Sequence, residues 1–201
     1  MRLTKLLAAA LMLAALGGCA TAPLPAIDNW NDYQSQLAQL QHWQLSGKLG
    51  VRMAANAANS KRGGSAYLNW EQNPAAYAIR LSGPLGQGTT WIRGDDGGVS
   101  LEQAGQAAVR ADSPEALVAQ TLGWELPIGD LFYWVRGIPA PRAPIAQQAK
   151  HPSGSLAQLQ QSGWQLDFSR YNAVGPWQLP GKIVAHRDGL RLTLIIKNWQ
   201  L

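Results

Sequence analysis

The most reactive side chain in this 201-residue chain is its single cysteine, Cys19, which follows Leu16-Gly17-Gly18. Leucine, two small residues and cysteine form the pattern of a lipobox, in which the thiol takes up diacylglycerol and the cysteine becomes a new N-terminus. What precedes it agrees. Arg2 and Lys5 are followed by an unbroken run of Leu, Ala and Met from Leu6 to Leu16. Eleven helical residues rise about 16 Å, roughly half of a bilayer core, so the run is too short to span a membrane. Residues 1–18 therefore read as a secretory signal peptide. A lone cysteine in a secreted chain has no intramolecular disulfide partner. The alternative, a buried core thiol, leaves its position at the end of the signal peptide unexplained. Ala20 stands where aspartate would resemble an inner-membrane retention signal, so the expected address is the outer membrane, on its periplasmic face.

Other reactive constellations are missing. His42, His151 and His186 are scattered without HExxH spacing, and neither a GxSxG elbow nor a P-loop occurs. Asp95-Asp96 precedes Gly97-Gly98, which reads as a solvated turn rather than a carboxylate pair. The expectation is a protein that is not an enzyme and takes no cofactor or metal. The pI of about 9.6 raises nucleic acid as a partner, but the secretory address and the absence of basic runs argue against it. Without Arg2 and Lys5 the chain holds 15 basic against 12 acidic residues. Charged residues make up 14% of the chain, against a usual quarter, and there are nine Trp for two Phe. Such a chain has broad apolar surfaces to place, in a lipid-binding interior or in a Trp-rich core.

Two further sets of residues are candidates. Leu85 is surrounded by the turn formers Gly83, Pro84, Gly86 and Gly88 between two strand patterns, so it sits at a loop tip or folds back over a sheet edge. Leu45, Leu68, Ile79, Leu81, Leu166 and Leu194 lie on the apolar faces of alternating segments, where they line a cavity or fill an ordinary core.

The elements that position them follow from periodicity. Ala20–Ile27, with two prolines and no charge, reads as a tether that extends about 26–29 Å. From Asp28, Trp30, Tyr33, Leu37 and Leu40 recur on one face of a short helix. Alternation then marks strands at 43–52, 66–70, 77–81, 89–93 and 98–102, with a weaker one at 106–110. Residues 54–64 read as a loose segment. Ser113-Pro114-Glu115 opens a helix that Gly123 closes, and a second short helix runs over 127–136, stopped by Gly137 and Pro139. After a loop or extended stretch at 139–144, strands resume at 155–160, 164–169, 182–186 and 190–197, the last two joined across Arg187-Asp188-Gly189. Short spacings without long helices favour antiparallel pairing. The expectation is one α+β domain over 28–201: a large, sharply curved or barrel-like antiparallel sheet with short helices on one side.

Segments in order along nearly the whole mature chain resemble the LolB family. They include Trp43-Gln44-Leu45-Ser46-Gly47-Lys48-Leu49-Gly50-Val51, Asn69-Trp70-Glu71-Gln72 and Leu81-Ser82-Gly83-Pro84-Leu85-Gly86. Leu122-Gly123-Trp124-Glu125-Leu126-Pro127, Trp134-Val135-Arg136-Gly137-Ile138-Pro139, Gly163-Trp164, Leu179-Pro180 and Trp199 continue the match. The resemblance implies an outer-membrane lipoprotein receptor that accepts lipoproteins from the periplasmic carrier LolA. It implies an incomplete antiparallel β-barrel whose helices lid an apolar cavity for client acyl chains, with no cofactor. It also implies that Pro84-Leu85-Gly86 protrudes to touch membrane lipids during delivery. A monomer is expected of a hand-over partner, and Arg136 or Arg93 is expected near the cavity mouth. The residues alone leave two other readings open: a structural or assembly lipoprotein serving as a protein-binding scaffold, and a periplasmic hydrolase.

Overall fold

Asn29, one residue beyond Asp28, caps the first regular element: its Oδ1 accepts from the backbone N–H of Asn31 (2.9 Å) and Asp32 (3.3 Å) at the start of α1 (Trp30–Ala38). The computed structural model describes residues 23–54, 63–83, 88–122 and 127–201. Cys19 and its lipobox, most of the loose segment, Pro84-Leu85-Gly86 and the helix-closing Gly123 lie outside the described residues.

After α1 the chain forms a meander of β1 (Trp43–Met53), β2 (Gly63–Gln72), β3 (Tyr77–Ser82), β4 (Thr90–Asp95), β5 (Gly98–Gln103) and β6 (Val109–Ala111). The Asp95–Gly98 turn is as read: Asp95 Oδ1 accepts from Gly97 N–H at 2.8 Å. Then come α2 (Pro114–Leu122) and α3 (Ile128–Trp134). Ser113 Oγ accepts from Ala116 N–H at 3.2 Å, the expected cap of α2. The expected 127–136 helix is regular only over α3, and Gly137 closes its last turns with φ +77. The second half contains β7 (Ile145–Lys150), β8 (Leu156–Gln161), β9 (Trp164–Ser169), β10 (Asn172–Val174), β11 (Trp177–Leu179), β12 (Lys182–Arg187) and β13 (Leu190–Gln200).

Eleven strands form one antiparallel sheet in the order β6-β5-β4-β3-β2-β1-β13-β12-β9-β8-β7, while β10 and β11 form a separate hairpin. The β1–β13 pairing joins the two halves and brings the start of the domain beside its end. The sheet is not closed into a barrel, since β6 and β7 are its free edges. It nevertheless wraps: inward side chains of β2–β4 and of β9, β12 and β13 meet in one core. Of the helices, α2 packs on β5, β6 and α3, and Leu117 of α2 and Trp134 of α3 belong to this core, whereas Leu37 of α1 lies in a separate cluster with Ile138 and Leu179. Among the described residues no helix is long and apolar enough to cross a membrane.

Candidate functional site

Strand alternation points every second side chain inward, and in the middle of the curl their packing leaves a gap. The result is a cavity of about 90 Å³ lined only by apolar residues. Leu49 of β1, Leu68 and Trp70 of β2, Ile79 and Leu81 of β3 and Ile92 of β4 form one wall. Leu166 of β9, Ile183 and Ala185 of β12, and Leu192 and Leu194 of β13 form the other. Ile128, Leu131, Trp134 and Val135 of α3 and its C-terminal turn roof it. Their offsets of three, six and seven place them on one helical face.

Five of the six residues read as cavity candidates, Leu68, Ile79, Leu81, Leu166 and Leu194, are thus brought together. The sixth, Leu45, is buried but off this cavity. It stands opposite Trp70 and Trp199 in the sheet, where aromatic rings fill the space. Trp43 packs on Trp70 and Trp199 at centroid distances of 5.2 and 5.6 Å, and Phe132 of α3 packs edge-on to Trp70 and Tyr77 at 5.2 and 5.1 Å. The Tyr77 ring lies across β4, where a Cβ on Gly94 would sit 2.3 Å from it. Leu49, Leu192, Ile183 and Ala185 were missed as lining residues, although their alternation places them on inward faces. The roof was readable from the helical spacing of Ile128, Leu131 and Val135.

The roof is fastened unevenly. At its C-terminal side, Trp134 Nε1 donates to the buried Gln161 Oε1 at 2.8 Å; that oxygen also accepts from Ala140 N–H, and Gln161 Nε2 donates to the carbonyls of Ala140 and Ala143. Arg136 Nη1 donates to the carbonyls of Leu37 (2.7 Å), Ala38 (3.3 Å) and Leu40 (2.8 Å), and its Nε to that of Phe132 (3.0 Å). Burial lowers the Arg136 pKa to about 10, so the group is still charged at neutral pH. At the N-terminal side the side-chain bonds among the described residues are exposed: Gly129 N–H to Glu115 Oε1 (2.9 Å) and Ser162 Oγ–H to Asp130 Oδ2 (2.6 Å).

The expectation that Arg136 or Arg93 stands near the cavity mouth is corrected by this geometry. Arg136 binds the carbonyls at the end of α1, which a helix C-terminus leaves without partners. Arg93 is exposed, pairs with Glu102 at 2.9 Å and stacks over Trp91. His151 Nε2 bonds the Phe168 carbonyl and His42 Nδ1 bonds Asn73, so both have structural partners. Among the described residues no three His, Cys, Asp or Glu side chains gather as metal ligands.

Burial raises the pKa of Tyr33 and Tyr77 to about 12 and that of Tyr171 well above the ordinary value. Tyr77 Oη has no hydrogen-bond partner among the described residues.

Comparison with known proteins gives consistent results. The family model "Outer membrane lipoprotein LolB" matches residues 41–199. The outer-membrane lipoprotein LolB of Pseudomonas paraeruginosa is 42% identical over 207 aligned residues, covering 100% of this chain and 97% of that one. That of Cellvibrio japonicus is 42% identical over 203 residues, covering 97% and 96%. Among solved structures, a LolA superfamily protein from Nitrosomonas europaea superposes with a TM-score of 0.53 at 8% identity, covering 89% of this chain and 94% of that chain, a likeness of fold alone.

Proposed function

The chain belongs to the LolB family of outer-membrane lipoproteins, and from that premise we propose that it is the receptor that takes lipoproteins from the carrier LolA and inserts them into the outer membrane. The observation that carries this reading is a wholly apolar cavity inside an unclosed sheet, roofed by one short helix. Cys19 is the lipid anchor, residues 19–27 connect it to the domain 28–201, and the working unit is a monomer.

At about 90 Å³ the cavity is well below the roughly 300–1,000 Å³ of small-molecule sites, so this is the closed form. Acyl chains enter when α3 lifts at its N-terminal side, where its described side-chain bonds are exposed, and pivots on the Gln161 and Arg136 fastenings. Uncovering Ile128 and Leu131 costs about 1.5–3 kcal/mol each. Each acyl CH₂ sheltered from water returns about 0.8 kcal/mol, so about four to eight methylenes offset the opening. No covalent step or nucleotide is needed, because the chains move down a gradient of burial from carrier to receptor to bilayer.

In the delivery step Pro84-Leu85-Gly86 meets the bilayer. Inserting Leu85 is worth about 1.5–3 kcal/mol, too little to anchor the protein but enough to orient it.

The test separates the two stages. A Cys19→Ala chain without its signal peptide takes a lipoprotein from LolA in solution. A Leu85→Glu chain also takes it but inserts it poorly into liposomes. A folded Cys19→Ala chain that accepts nothing contradicts the receptor reading, and undiminished insertion by Leu85→Glu removes the loop from the mechanism.

A further inference from the structure

The cavity fixes which way the neighbouring side chains point. Leu49, Leu68, Ile183, Ala185, Leu192 and Leu194 line it, so by strand alternation the residues between them on β1, β2, β12 and β13 stand on the outer face of the sheet. The pairing registers set these residues in rows across the strands. One row runs Tyr67, Lys48, Ile195 and Lys182, and four residues further along the strands another runs Arg52, Arg191 and His186. The row between them carries no charge on these four strands.

Arg52 and Arg191 are thus direct cross-strand partners, and Arg191 also stands opposite His186. Like charges placed directly opposite each other destabilise a sheet. Both arginines are exposed, and among the described residues neither side chain has an ion-pair partner. Toward the start of β1 the same face is balanced: Arg80 and Arg93 are accompanied by Glu71 and Glu102, and Arg93 bonds Glu102 at 2.9 Å. Beyond Lys5 the chain has 15 basic and 12 acidic residues; setting aside Lys48, Arg52, Lys182 and Arg191 leaves 11 against 12, so these four account for its net positive charge. They fall within a patch of about 10 by 14 Å. Beside them Tyr67 is 47% exposed, with Lys48 Nζ 4.9 Å from its ring centroid. Amphipathic rings and long basic side chains settle at the boundary between headgroups and water. The family is one of outer-membrane lipoproteins, so a bilayer is the surface that the domain meets.

We propose that the outer face of β1, β13 and β12 around Arg52, Arg191, Lys48 and Lys182 docks on the phosphates of anionic phospholipid headgroups. Phosphodiester oxygens accept from the guanidinium forks of Arg52 and Arg191 and supply the counter-charge that the sheet lacks there. Tyr67 and Ile195 settle against the headgroup layer. This surface is on the opposite side of the sheet from the acyl-chain cavity and does not depend on it.

The test uses the mature chain with Cys19→Ala, which has no lipid of its own, sedimented with vesicles of phosphatidylcholine alone or of equimolar phosphatidylcholine and phosphatidylglycerol. Binding to the anionic vesicles exceeds binding to the neutral ones at least tenfold and disappears near 1 M salt, where the Debye length is about 3 Å. Arg52→Gln with Arg191→Gln lowers it at least tenfold, on a scale of about fivefold per basic residue at a membrane surface. Urea denaturation of that double variant shows equal or higher stability, because the like-charge pair is gone. Arg52→Glu, which sets a carboxylate opposite Arg191, gives the same loss of binding in a more stable fold. In the lipidated chain, a fluorophore on Thr193→Cys is quenched by headgroup-labelled lipid, and less so in the double variant. Equal binding to neutral and anionic vesicles overturns the proposal, as does unchanged binding by the double variant. A double variant less stable than the native chain also overturns it, since the arginines are then structural. Unchanged vesicle binding with impaired uptake from LolA assigns the face to an acidic protein surface and overturns membrane docking. Loss of fatty-acid binding with vesicle binding intact counts against the cavity instead.

Discussion

Filling a hollow and overfilling a core have opposite signs, and Leu194→Phe separates them. Leu194 is half-buried on β13 and lines the apolar cavity. Residual cavity volume costs about 24 cal/mol per Å³, so the 90 Å³ present here corresponds to about 2 kcal/mol. A phenyl ring that occupies part of it stabilises the domain by up to that amount, about 4–8 °C in Tm for a domain of this size. The same ring blocks the entry of acyl chains. Urea denaturation and saturable binding of a fluorescent fatty acid therefore move in opposite directions: stability rises and binding falls at least tenfold. In a filled core the larger side chain would cost about 1–3 kcal/mol. A destabilised variant with unchanged fatty-acid binding refutes both the hollow and its role.

Other expectations concern the fastenings of the roof. Arg136→Met removes the donors that satisfy the end of α1 and lowers stability by about 3 kcal/mol in urea denaturation, with faster hydrogen exchange in α1. Gln161→Leu strands Trp134 Nε1, the Ala140 N–H and two carbonyls, and costs about 3 kcal/mol or more by the same measurement. Tyr33 and Tyr77 bind their protons more tightly folded, at about 12, than unfolded, at about 10. Between those values the folded chain holds more protons, so their contribution is complete below pH 10 and is lost as pH rises toward 12. An alkaline titration followed by circular dichroism shows this loss, which is smaller in Tyr33→Phe or Tyr77→Phe.

Much of the fold was legible because most strands have one buried face. Trp43, Leu45, Leu49 and Val51 on β1, and Trp164, Leu166 and Phe168 on β9, carry period-two patterns that only a half-buried strand needs. β7 was missed because all six of its residues, Ile145–Lys150, are exposed on a free edge, so no burial shapes its pattern. The β10–β11 hairpin was missed because its strands have three residues each, although Gly175-Pro176 between them is a turn signal. β6 is shorter than expected and begins at Val109 rather than Gln106. The β1–β13 seam depends on long-range register, which no local pattern encodes.

The site was legible to the same depth. Alternation identifies inward side chains but not whether they meet an opposing wall. Leu45 and Leu68 look alike in sequence, yet tryptophans fill the space beside one and leave a gap beside the other. Arg136 was misplaced for a related reason, since its partners are backbone carbonyls nearly a hundred residues away.

Photocrosslinking shows whether acyl chains lodge beneath α3 between the two walls of the curled sheet. A diacylated lipopeptide with a photoreactive group at the chain terminus is bound to the domain, irradiated and mapped by mass spectrometry. That location predicts adducts on Leu68, Ile79, Leu166, Ile183 and Leu192. Adducts confined to the outer face of the sheet or to α1, with those five residues unlabelled, would contradict it.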